Sequence, residues 1–165
     1  MIGLPNPTGN CLKERTDSVQ GITWHWTGEG GTLFHPDPLI RLRGIWNYHV
    51  HTLGYCDIAY NGAFDADGNL FALRDNQWVG AHAASPNNLA NRTTLGIVFL
   101  EDKRGMTPAG IHAQTACDLL FEASYHRHPE WYAHEFWGKQ GPPAKPTYCP
   151  GPQETAYIKW LGGHV

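Results

Sequence analysis

Thr94-Leu-Gly-Ile-Val-Phe-Leu100 is the stretch on which the fold turns. It is apolar almost without interruption and is bounded by polar residues. A short run of that kind, with no alternation, fits a strand covered on both faces, the centre of a sheet. Working outward, Gly21 to Trp26 (GITWHW) is rich in β-formers and reads as another strand, closed by a flexible turn over Thr27 to Gly31. His25 therefore stands at a strand end. Asp57 to Phe64 and Leu70 to Arg74 read as two strands joined by a hairpin turn over Asp65 to Asn69. Trp78 to Ala83 reads as a short extended segment, and Ser85 to Thr93 as a polar loop.

Helical signals fall between these segments. Leu42, Trp46, Val50 and Leu53 recur at helical spacing, so Pro38 to Gly54 is expected to form a helix stopped by its glycine. Thr107 with Pro108 opens a second helix, with Ala116, Leu119, Leu120 and Ala123 as its expected buried stripe. Residues 126–133 lead away from it, 138–151 form a Gly/Pro-rich loop, and Pro152 to Leu161 forms a last short helix. Residues 1–19 read as an irregular N-terminal arm. Strands and helices alternate without a repeat or an internal linker. The expected architecture is α/β, with a single mixed central β-sheet flanked by helices and one domain over residues 1–165.

Composition narrows the function classes. A chain of 165 residues can build a real core. The net charge of −3 argues against nucleic acid as a partner, because a binder of phosphates carries a basic patch. No stretch is long and apolar enough to span a membrane, so membrane insertion is not expected. The first ten residues carry neither a basic region nor an apolar core of a secretory signal. Synthesis in a cytoplasm is the expectation, and with it reduced thiols at Cys11, Cys56, Cys117 and Cys149. Asp65-x-Asp67-x-Asn69 has the look of a calcium loop, but Leu70 stands where that loop needs glycine and Asn76 where it needs a bidentate glutamate.

The chemistry concentrates in His25, His134 and Cys149. A thiolate and two imidazoles suit zinc, and three protein ligands leave a fourth position for water, whose pKa zinc lowers to about 7. Hydrolysis of an amide or ester is the matching reaction. Two other readings stay open on residue types alone. Cys149 and the histidines can be packing residues. Alternatively Cys149, just ahead of a helix, can be a nucleophile served by a histidine base.

Several motifs occur together and in order. They are Trp24-His25-Trp26-Thr27, Tyr48-His49, Leu53-Gly-Tyr-Cys-Asp-Ile-Ala-Tyr60-Asn61, Asp67-Gly-Asn-Leu70, Gly80-Ala-His82-Ala83, Leu95-Gly-Ile97 and Thr147-Tyr-Cys149-Pro-Gly151. Over roughly residues 20–161 the chain resembles the zinc-dependent N-acetylmuramoyl-L-alanine amidases shared by amidase-type phage lysozymes and peptidoglycan recognition proteins. Around His134 it is most similar to amidase modules of phage endolysins.

The resemblance implies a zinc site of His25, His134 and Cys149, with His134 taken over His126 and His128. The family's gap between the last two ligands is usually shorter, and an insertion between 138 and 146 accounts for the difference. It also implies Tyr60 as the catalytic tyrosine and Thr147 as the polar group that supports the tetrahedral intermediate. His49 and His82 match positions lining the substrate groove. A glutamate base found in another branch of the family is replaced here by Val98. The implied partner is bacterial peptidoglycan, the implied cofactor Zn2+, and the implied reaction is cleavage between N-acetylmuramic acid and L-alanine. The competing reading within the family is a non-catalytic peptidoglycan-binding module, whose members typically lack the cysteine. A monomer made in a host cytoplasm and acting on the wall after release completes the expectation. Trp24, Trp26, Trp78 and Trp137 are candidate sugar-facing surfaces.

Overall fold

A computed structural model describes residues 11–27, 35–101 and 105–165. It contains one five-stranded sheet in the order β3-β2-β4-β1-β5. The strands are β1 (Gly21–Trp26), β2 (Gly62–Asp65), β3 (Leu70–Ala72), β4 (Thr94–Leu100) and β5 (Glu130–Ala133). The apolar run of β4 is indeed the middle strand. It pairs in parallel with β1 on one side and with β2 on the other, and all seven of its residues are buried. β3 closes the β2 hairpin antiparallel, so the sheet is mixed.

The two faces of β4 feed two cores. Leu95, Ile97 and Phe99 join Ile22, Trp24, Phe64, Phe121 and Ile158 on one face. That face is covered by α3 (Pro108–Tyr125) and α5 (Pro152–Trp160). Val98 and Leu100 join Leu42, Ile45, Trp46 and Ile58 on the other, under α1 (Pro38–Asn47). Period-two alternation along β1 puts Ile22 and Trp24 with the first core, and therefore turns Thr23 and His25 to the α1 face.

Local rules explain the helix starts. Asp37 caps α1 by accepting from the Leu39 amide, and Thr107 caps α3 by accepting from the Gly110 amide, each ahead of a proline at the first turn. The first helix ends earlier than its periodicity suggests. Residues Tyr48–Thr52 form a π-helical turn that leaves Leu53 exposed.

Several expectations are corrected. The buried face of α3 is Gly110, Ala113, Gln114 and Phe121, while Leu119 and Leu120 are each 60% exposed. Small residues at 110 and 113 let the helix approach the sheet closely, which the bulkier leucines cannot do. Asp57 to Asn61 is not strand: only Gly62–Asp65 pairs. The 78–83 segment contributes one isolated bridge, Glu14 with Trp78. The polar loop contains a 3-10 turn and the short helix α2 (Leu89–Thr93). Between α3 and the site lies an edge strand, β5, that no pattern announced.

The cysteine expectation is also overturned. Cys11 is bonded to Cys56, with Cα atoms 5.9 Å apart, while Cys117 and Cys149 are free. Spacing along the chain carries no information about such a contact. Residues 11–19 are irregular but not loose. Val19 enters the core, and the Arg15 guanidinium donates to the carbonyls of Asn76, Trp78, Asn91 and Arg92. The arm before residue 11 and most of the turn expected over 27–31 lie outside the described residues. The acidic turn uses Asp65 internally: its carboxylate accepts from the amides of Asp67 and Asn69 and from the Asn69 side chain. Among the described residues no helix is long and apolar enough to cross a membrane.

α5 is tied to α3 by a bond from Gln114 Nε2 to Glu154 Oε1 at 2.6 Å. Burial pushes the Glu154 carboxyl up to about 7, opposed by that bond. The folded protein thus holds a proton there between roughly pH 5 and 7, where the unfolded chain has lost it, and stability falls as pH rises through that window. Among the described residues Gln114 Oε1 is buried without a hydrogen-bond partner, and a neutral amide at 154 can supply one. Glu154→Gln is expected to raise Tm relative to the parent at pH 8, with the gap closing toward pH 5. Thermal melts across that range read it directly.

Candidate metal centre

Parallel pairing creates the site. β5 lies beside β1 in parallel, with Trp24 opposite Ala133. The next residue on each strand's path is a histidine: His25 near the end of β1, and His134 where β5 turns into α4 (His134–Gly138). Both project at the carboxyl ends of neighbouring parallel strands, the usual place for sites in such sheets. Their ring centroids are 4.6 Å apart.

The loop after α4 brings Cys149 to the same point. Its carbonyl accepts from the Glu135 amide at 2.8 Å, and its Sγ accepts from the Trp26 amide at 3.4 Å. Gly151 completes the approach. Its φ is +95°, and a Cβ there would fall 2.9 Å from the Trp26 indole. A side chain at 151 is excluded on both counts.

One donor atom each from His25, His134 and Cys149 lies within 4.8 Å of the others. His25 Nδ1 is 3.7 Å from Cys149 Sγ. Two ligands of a tetrahedral zinc, one nitrogen and one sulfur, stand about 3.6 Å apart. The donor chemistry and the spacing therefore fit zinc, and the group could hold a metal ion.

Desolvation acts on all three donors. Burial pushes the Cys149 thiol up to about 12, against a lowering by the Trp26 amide. A protonated thiol at neutral pH is a poor nucleophile. Burial also holds His134 down to about 4 and His25 well below the usual imidazole range, the latter helped by the other histidines. Neutral imidazoles are what a metal requires.

Tyr60 stands beside this cluster, its ring centroid 5.1 Å from that of His25. Burial, and then the neighbouring Cys149, raise its phenol above the ordinary value, so it stays a donor. Thr147 Oγ1 accepts from the Cys149 amide at 3.2 Å, which fixes the hydroxyl on the cysteine side. His49 is buried against Tyr60, with Nδ1 accepting from the Ala59 amide at 3.0 Å. His82 is buried directly behind His25 rather than lining open surface. Val98, in register with His25 on β4, is fully buried in the second core. His126 and His128 sit in the exposed turn after α3, away from the cluster. Of the four candidate sugar-facing tryptophans, Trp24 and Trp137 are core residues, while Trp26 and Trp78 keep partial exposure.

One residue that sequence reasoning missed holds the tyrosine in place. Arg74 is buried and donates to the carbonyls of Asp57, Ile58 and Val79. It bridges the non-strand segment carrying Tyr60 to the segment leading to His82. An arginine at a hairpin end carries no such signal in one dimension. An open groove of about 550 Å³ adjoins this region, lined by Tyr55, Gly80, Ala81, Ser85, Asn87 and Asn88. None of these belongs to the metal cluster; the groove flanks the backbone ahead of His82.

No protein-family model matches this chain. Part of it is similar to peptidoglycan recognition proteins. It is 33% identical to peptidoglycan-recognition protein SC2 of Drosophila simulans over 85 residues, 52% of this chain and 44% of that protein. The chain spans less than half the length of the curated relatives it matches. A variant of Drosophila PGRP-LB in complex with tracheal cytotoxin superposes with a TM-score of 0.78 at 18% identity, covering 99% of this chain and 92% of that one. The N-acetylmuramoyl-L-alanine amidase LysC of Clostridium intestinale gives 0.65 at 19% identity, covering 92% and 93%. The fold is that of peptidoglycan recognition proteins and these amidases.

Arg74→Met should keep most of the apolar stem but strip donors from three buried carbonyls. Each such loss costs about 1–3 kcal/mol. The expected result is a Tm lower by roughly 6 °C or more, measured calorimetrically.

Proposed function

We propose that this chain is a zinc-dependent N-acetylmuramoyl-L-alanine amidase. It hydrolyses the amide between the lactyl group of N-acetylmuramic acid and L-alanine in bacterial peptidoglycan. The observation that carries the reading is the convergence of His25, His134 and Cys149 donor atoms within 4.8 Å beside the partly buried Tyr60. Local similarity to peptidoglycan recognition proteins supports the substrate class, and the shared fold with an amidase supports the reaction class.

Zinc held by the three ligands would supply a Lewis acid and a water of lowered pKa. The protein's own groups do the rest. Tyr60, kept protonated, can donate to the oxygen that gains charge as the scissile carbonyl becomes tetrahedral. The Thr147 hydroxyl, anchored by its acceptor side, has its proton left to donate to the same oxygen. Val98 offers no carboxylate beside His25, so base catalysis by a strand glutamate is not available. His49 lies against the Tyr60 ring and restricts its orientation.

A wall-binding module without catalysis is the second reading, because peptidoglycan recognition proteins are the relatives by sequence. The intact donor set favours the enzyme. The discriminating experiment is incubation with purified cell walls, with and without chelator. Release of new amino termini without new reducing sugar ends, lost on chelation and restored by zinc, supports the amidase. Wall binding without release, in zinc-loaded protein, would remove it. Cleavage that survives chelation but not thiol blocking would point to Cys149 as nucleophile.

His134→Ala should abolish stoichiometric zinc binding and wall cleavage together, as read by elemental analysis and the release assay. Retained zinc at one equivalent would show that the ligand set is wrong. Tyr60→Phe should keep zinc and fold but lower kcat by about 10² or more; equal turnover would remove the phenol from the mechanism.

A further inference from the structure

The metal-facing side of His25 is chosen by what stands behind it. Its Nδ1 looks toward Cys149 Sγ, while Nε2 lies 3.1 Å from Nδ1 of His82. One proton must sit between those two nitrogens, and its owner decides the outcome. If His82 held it, His25 would carry its own proton on Nδ1, pointing at the sulfur and blocking a metal. If His25 holds it on Nε2, its Nδ1 lone pair is bare.

The metal side decides which arrangement a filled site needs. A metal on His25 Nδ1 requires that nitrogen bare, so the one proton of the neutral ring stands on Nε2. The group within hydrogen-bond reach of that proton is His82 Nδ1, at 3.1 Å. His82 then accepts there and carries its own proton on Nε2, which is buried without a hydrogen-bond partner among the described residues.

The ring of His82 cannot turn away. A Cβ on Gly96 would fall 2.4 Å from its Cγ, and one on Gly80 2.7 Å from its Cδ2. It is wedged against two stretches of backbone that only glycine allows so close. Its own backbone is held by Asn91, whose Oδ1 accepts from the amides of His82 and Ala83 while Nδ2 donates to the Ala83 carbonyl.

We propose that His82 is a positioning residue for the metal centre: by accepting from Nε2 of His25 it locks that imidazole's tautomer and presents Nδ1 to the metal. The proposal rests on the zinc reading of the site. It replaces the substrate-lining role expected for His82 with one exerted through His25. Partners of this kind, on the far nitrogen of a ligating histidine, typically change metal affinity by about 10–100-fold.

Two measurements test it. In metal-free, 15N-labelled protein, long-range proton–nitrogen correlation should show His25 protonated on Nε2 and bare on Nδ1. The opposite tautomer overturns the proposal. Zinc affinity of the metal-free protein, read by competition with a chromophoric chelator, should fall roughly 10–100-fold in His82→Leu. His82→Asn, whose Oδ1 stands close to where the ring Nδ1 was, should recover most of that loss. Equal affinity in the parent and His82→Leu overturns the proposal, and so does an asparagine variant as weak as the leucine one. If His82→Leu does not fold, the tautomer and the asparagine variant decide. A parent that binds no zinc at all defeats the metal reading instead, and the tautomer measured without metal still stands or falls by itself.

Discussion

The parallel pairing of β1 between β4 and β5 is the constraint on which the site depends. It sets the carboxyl ends of two strands side by side, and the chain places a histidine at each. Because side chains alternate along a strand, the register that buries Ile22 and Trp24 on one face necessarily sends His25 to the other. A slip by one residue would bury the imidazole under α3 and send Trp24 to the site. Core packing and site construction are thus one requirement, enforced by the same apolar residues.

The remaining pieces are added by segments without regular structure, held by polar contacts, a disulfide and close approach to backbone. Cys149 arrives on a loop anchored at the Glu135 and Trp26 amides, with Gly151 making room against the indole. Tyr60 sits on a segment clamped by Arg74 and closed at its start by the Cys11–Cys56 bond. His82 is wedged between Gly80 and Gly96. The result is a rigid sheet end carrying two histidines, surrounded by loops whose buried hydrogen bonds substitute for a second layer of secondary structure.

The desolvated setting acts on all these groups in one direction. It keeps imidazoles neutral, the thiol protonated in the absence of metal, and the phenol a donor. Two neutral nitrogens with a sulfur are a donor set that could hold a metal cation. The raised thiol weakens the case for Cys149 as a free nucleophile, which needs an electropositive setting.

Much was legible in the sequence, and the reason is local. The uninterrupted apolar run of β4, the β-rich GITWHW, the hairpin over Asp65 to Asn69 and the Thr107-Pro108 helix start are all signals written within a few residues, where propensity and periodicity act. The three donor residues could be named because their types and order resemble a family. What the chain could not disclose were facts of proximity. The face of α3 was misread because two apolar stripes competed and only close packing on the sheet selects the one with small residues. β5 was missed because four residues at a sheet edge, running from exposed Glu130 to buried Ala133, are too few to carry a period of their own. The Cys11–Cys56 bond, the Arg74 clamp and the imidazole pair of His25 and His82 join residues remote along the backbone, and nothing in one dimension encodes which polar groups will be buried together. Residue type determined what this site can bind; only the folded arrangement decided which nitrogen faces it.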